Sequence, residues 1–126
     1  MRHFIRALIL AAAFLAGSAS AAPTAFAQTT FDALQKAGIP ILVMIQADWC
    51  PTCRAQAPII SDLLRTPEFK AIHALRVDFD RQKSIVKEFG ATIQSTLIVF
   101  KDGKEVGRSI GDTRKDSIAA LLKKAA

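Results

Sequence analysis

Residues 41–53 read ILVMIQADWCPTC. Ile41 to Ala47 is a nearly continuous apolar run rich in branched side chains, the pattern of a central strand covered on both faces. Asp48 and Trp49 interrupt it, and Cys50 stands where strand gives way to helix. From Arg54 to Leu64 the period changes: Ile59, Ile60, Leu63 and Leu64 share one helical face. Pro51 suits the first turn, where its missing N–H removes no bond. Pro58 falls inside the helix and is expected to kink it, and Thr66-Pro67 ends it. A buried strand feeding directly into a helix predicts an α/β fold.

Outward from this stretch the pattern repeats. Upstream, Thr29 or Thr30 is expected to cap a short helix through Lys36, stopped by Gly38. Downstream, Ile72 to Phe79 alternates as a second strand. Arg81 to Phe89 reads as a helix ended by Gly90. Thr96 to Lys101 is a third strand, and Asp102-Gly103 is a two-residue hairpin signal into a fourth, Lys104 to Ile110. Asp112 or Thr113 is expected to cap a last helix reaching Lys124. The first two strands, joined through a helix, should be parallel, and the last two antiparallel. The expectation is a mixed four-stranded sheet with helices on both faces, in one domain spanning 28–126.

Two cysteines in four residues cannot staple a scaffold. At a strand-to-helix junction they can do something else. A spacing of three residues puts their α carbons about 5–6 Å apart, within the range a disulfide accepts. The helix start offers unpaired N–H groups and the positive end of the dipole, both of which favour a thiolate on Cys50. Cys53, one turn deeper, is expected to be less exposed. The division of labour that follows makes Cys50 the nucleophile and Cys53 the thiol that resolves the mixed disulfide. A purely structural bridge would close too small a loop to stabilise much. Zinc would need two more ligands, and beyond residue 27 there is one histidine, His73, and no further cysteine.

These residues resemble the thioredoxin family. The matching stretches are Ala47 to Arg54 with Pro58 beyond it, Val77-Asp78-Phe79-Asp80, Phe89-Gly90, Thr96 to Gly103, and Val106-Gly107 onward to Gly111. The resemblance implies the thioredoxin fold and a redox-active Cys50–Cys53 pair that needs no organic cofactor and no metal. It implies a site bordered by Trp49, Pro51, Thr52, Ser95 and Thr96. Three departures stand out. Family members usually carry a cis-proline just before the threonine of the third strand, where this chain has Ser95. A cis bond without proline costs about 3–4 kcal/mol, which favours a trans Gln94–Ser95 bond. The added N–H and hydroxyl of Ser95 are expected to lie within reach of Cys50. Met44 stands where thioredoxin has a buried aspartate, so a core methionine replaces a base. Pro51-Thr52 replaces Gly-Pro between the cysteines. Arg76 could face the cysteines or solvent, Asp48 is expected to be solvated, and His73 is expected at the surface.

The N-terminus differs in kind. Nineteen of residues 1–27 are apolar. Arg2, His3 and Arg6 precede ten uninterrupted apolar residues, Ala7 to Ala16, and small residues follow. This is the order of a secretory signal peptide, and the run is short for a membrane span. Cleavage is expected before Gln28, with a cut after Ala21 as the alternative; an uncleaved N-terminal membrane anchor is the rival. Export implies a periplasmic, disulfide-permitting compartment. The chain carries a net charge of +6. Its basic residues are scattered rather than clustered with aromatics, which argues against nucleic acid.

The combined expectation is an exported, monomeric thiol–disulfide oxidoreductase that reduces protein disulfides and draws electrons from a membrane donor. Two alternatives remain: a disulfide oxidant or isomerase, and a module binding Cu(I) or an iron–sulfur cluster through the cysteine pair.

Overall fold

The computed structural model describes residues 22–126. The elements run β1 (Thr24–Ala25), α1 (Gln28–Lys36), β2 (Ile41–Gln46), α2 (Pro51–Leu64), β3 (His73–Asp78), α3 (Lys83–Glu88), β4 (Thr96–Lys101), β5 (Lys104–Ile110) and α4 (Lys115–Lys123). They form a five-stranded sheet in the order β1-β3-β2-β4-β5. β3 is parallel to β2 and to β1, while β4 is antiparallel to both β2 and β5. The sheet is mixed, as expected, with five strands rather than four. The extra strand is two residues long, too short to show an alternating pattern.

Each face of the sheet buries its own cluster. Leu42, Met44, Leu97 and Val99 pack with Ile60, Leu63 and Leu64 of α2 and Ile118, Leu121 and Leu122 of α4. On the other face Ile41, Val43, Ile45, Leu75 and Val77 pack with Phe31 of α1 and Val86 of α3. Every residue from Ile41 to Ile45 is buried, the pattern of a strand covered on both sides. Phe26, Phe31, Phe89 and Phe100 form a ring cluster on the second face, with centroids 5.2–5.8 Å apart. Phe26 is 5% exposed, and its N–H donates to the Arg76 carbonyl at 2.8 Å. Thr24 to Phe26 thus belong to the folded unit, although they precede Gln28. Residues 1–21, on which most of the expected signal peptide falls, lie outside the described residues.

Asp102 and Gly103 both have positive φ, 50° and 76°, the backbone of the tight hairpin their sequence signals. Pro58 sits inside α2 without dividing it. The caps differ from expectation. Ala27 precedes α1 with no side-chain cap, and Thr29 and Thr30 lie within the helix. Arg114 precedes α4, also without a side-chain cap. Asp112 instead closes the turn before α4: one carboxylate oxygen accepts from the Arg114 N–H at 3.0 Å and the other from the Ser117 hydroxyl.

The Ser117 hydroxyl, and after it the Arg114 backbone N–H and guanidinium, hold the Asp112 carboxyl below the ordinary carboxylate range against the opposing effect of burial. A depressed folded value means stability that is fully present above the unfolded pKa, about 3.9, and lost as pH falls through the folded one. Asp112→Ala should therefore destabilise at about pH 6 and less at about pH 3. Urea unfolding at both pH values checks this; a difference that grows on acidification contradicts it.

Candidate active site

β2 stops at Gln46, and residues 47–50 turn before the helix begins. The Cys50 N–H donates to the Ala47 carbonyl at 3.1 Å. Cys50 itself is the N-cap of α2, with extended backbone (φ −83°, ψ 108°) and Pro51 following as the first helical residue. Its Sγ accepts from the Cys53 N–H at 3.1 Å. A serine or aspartate oxygen usually fills that cap; here a sulfur does. The two cysteines form a disulfide with α carbons 5.3 Å apart, inside the interval expected from their spacing. On reduction the same N–H faces a sulfur that can carry charge, and a charge-assisted bond at the positive helix end favours the thiolate.

The expected difference in exposure is not seen. Cys50 is 1% exposed and Cys53 3%. Ala47 is buried with both cysteines, and Phe79, from the end of β3, packs against this cluster. What distinguishes the two sulfurs is therefore the cap.

The bordering residues are distributed as follows. Trp49 is 55% exposed, and its indole N–H donates to Asp80 Oδ2 at 2.8 Å. Pro51 is exposed and Thr52 half-buried. Thr96 is buried at the start of β4, where its hydroxyl donates to the Ile93 carbonyl at 2.7 Å. The Gln94–Ser95 bond is trans, and Ser95 adopts φ 60°. The Ser95 N–H donates to the Ile45 carbonyl at 2.8 Å and its hydroxyl to the Gln94 carbonyl. Both donors expected near Cys50 are thus engaged with backbone. Met44 is 1% exposed within the α2–α4 cluster, a core residue. Arg76 is exposed on β3, Asp48 is exposed, and His73 is half-buried at the start of β3. Among the described residues no three His, Cys, Asp or Glu side chains gather closely enough to hold a metal.

Three residues near the site were not singled out from sequence. Asp80 holds Trp49 across 31 positions of chain, a pairing that only the strand order creates. Phe79, just past the end of β3, packs against the cysteines. Gln56 was legible in principle: it is a polar residue in the apolar stripe of α2, three positions after Cys53 and four before Ile60.

The thioredoxin family model matches residues 22–124. Thioredoxin of Chlamydia muridarum is 38% identical over 84 residues, covering 67% of this chain and 80% of the relative. Thioredoxin of Staphylococcus aureus is 35% identical over 94 residues, covering 75% and 88%. Among solved structures, Trxlp from Edwardsiella tarda is similar with a TM-score of 0.78 and 35% identity, over 80% of this chain and 98% of that one. Fasciola hepatica thioredoxin shares the fold, with a TM-score of 0.71 over 82% and 99% of the two chains. The chain that carries this closed cysteine pair at a helix start is thus matched over nearly all of its described length: it belongs to the thioredoxin family and is a thiol–disulfide oxidoreductase.

Proposed function

We propose that the protein is an exported reductase of protein disulfides. The observation that carries the exchange chemistry is the position of Cys50 Sγ at the N-cap of α2, accepting from the Cys53 N–H at 3.1 Å. The likeness to thioredoxins supports reduction as its direction, and the basic-apolar-small order of residues 1–27 supports export. In the reduced protein the Cys50 thiolate attacks one sulfur of a substrate disulfide. That S–S bond breaks, its second sulfur leaves as a thiolate, and a mixed disulfide joins Cys50 to substrate. Cys53, deprotonated, then attacks the Cys50 sulfur. The substrate's remaining thiol is released, and the Cys50–Cys53 disulfide forms. Two electrons have passed from the dithiol to the substrate. With Met44 in the core, no carboxylate at that position takes the Cys53 proton, which goes to water or to the departing substrate thiolate.

Each cycle ends oxidised, so a reductant must restore the dithiol. In the periplasm that role falls to a membrane electron donor, acting on a monomeric carrier. Phe26 in the core and a family match that begins at residue 22 support signal cleavage after Ala21, which spares β1, rather than before Gln28. N-terminal sequencing of protein recovered from the cell envelope should read Ala22; an intact Met1 on membrane-embedded material would indicate an anchor.

The functional test is insulin reduction with dithiothreitol as electron source. The protein should accelerate precipitation of the insulin B chain in a catalytic amount. A rate equal to dithiothreitol alone would contradict the reductase reading.

A further inference from the structure

Gln56 occupies a position where an apolar side chain would fit. It is 0% exposed, in the stripe of α2 that includes Ile60, Leu63 and Leu64. Its Nε2 donates to the Ser95 carbonyl at 3.2 Å and to the Asp112 carbonyl at 2.9 Å. Among the described residues its Oε1 is buried with no hydrogen-bond partner. A methionine or leucine would fill much the same space and leave no polar atom idle, so packing does not account for the residue.

What the amide does hold is the loop before β4. Ser95 is a left-handed serine, a conformation that persists only when its surroundings over-determine it. Three hydrogen bonds do so. The Ser95 N–H donates to the Ile45 carbonyl on β2, and the Ser95 carbonyl accepts from the Gly111 N–H at 3.0 Å and from Gln56. The first two come from the sheet and its margin. The third comes from the helix that carries the cysteines, one turn past Cys53. Gln56 also reaches the Asp112 corner, so one side chain ties α2 to both segments beside it. The stretch it steadies presents Ile93, 41% exposed, and half-buried Gln94.

We propose that Gln56 is a positioning residue for protein substrates: it fixes the trans, left-handed Ser95 loop against α2 and so sets where residues 93–94 meet an extended polypeptide whose disulfide is at Cys50. This rests on the reductase reading and adds a division between substrates. The loop is bonded to the last residues of β2 and to α2 one turn past Cys53, so a polypeptide whose disulfide is at Cys50 has chain to lay against it, whereas a small aryl disulfide has none.

The test is Gln56→Met, which keeps length, helix propensity and burial and removes both donors. Relative to wild type, KM for insulin should rise about tenfold, while kcat for insulin and the rate with dithiobis(nitrobenzoate) stay within about twofold. Hydrogen exchange at the Gly111 amide, which shares the Ser95 carbonyl, should quicken. If Gln56→Met does not fold, Gln56→Leu is measured by the same split. A folded variant that matches wild type on both substrates, or loses both equally, overturns the positioning role. A wild type that reduces neither disulfide contradicts the reductase reading instead.

Discussion

Cys50→Ser is expected to bring insulin reduction down to the uncatalysed background, a loss of at least about a thousandfold. No other sulfur stands at the N-cap of α2, and a serine hydroxyl in the same place cannot exchange with a disulfide. Cys53→Ser should behave differently. Attack by Cys50 is untouched, but nothing one turn along the helix can displace the substrate. A mixed disulfide between Cys50 and substrate should accumulate and be visible by mass spectrometry and on non-reducing gels. The contrast follows from a sulfur held as the cap and a second sulfur 5.3 Å away by α carbons. Normal turnover by Cys53→Ser with no trapped adduct would show that the roles are assigned wrongly.

Ser95→Pro is expected to destabilise the protein by about 3 kcal/mol or more. Family members usually carry proline here, so the substitution looks conservative on sequence alone. The backbone says otherwise. Proline holds φ near −65°, whereas Ser95 sits at 60°. Proline also removes the N–H that donates to the Ile45 carbonyl, leaving that acceptor at the edge of the core without its bond. The loop would have to rebuild, and the Gln56 and Gly111 donors would lose the carbonyl they share. Urea unfolding of the oxidised proteins measures the difference. Equal or greater stability in the variant would mean that the left-handed trans loop is not required by its surroundings.

Much of this is legible in the amino-acid sequence alone. The period change between Ile41–Ala47 and Arg54–Leu64 placed the cysteine pair at a strand-to-helix junction, and the structure keeps it there. Thr96–Lys101 and Lys104–Ile110 have their expected bounds, because a buried run and an Asp-Gly turn are both local signals. What escaped was non-local or too short to carry a period. β1 is two residues held by pairing with β3, so no alternation announces it. The Trp49–Asp80 bond depends on two strand ends lying side by side. The caps failed for another reason: Thr29 and Thr30 have the right chemistry, but burial of Phe26 and Phe31 sets where α1 begins. Gln56 lay in plain view as a polar residue in an apolar stripe, yet its partners are 39 and 56 positions away. Ser95 was recognised as a departure, and its geometry follows from bonds to Ile45, Gly111 and Gln56 rather than from serine itself.

The reduction potential of the Cys50–Cys53 pair tests the central claim most directly. The protein is equilibrated with defined ratios of reduced and oxidised dithiothreitol or glutathione, and the dithiol fraction is read by thiol alkylation. A reductase of protein disulfides should poise near about −270 mV, whereas a value near about −120 mV would make the protein an oxidant and contradict the account.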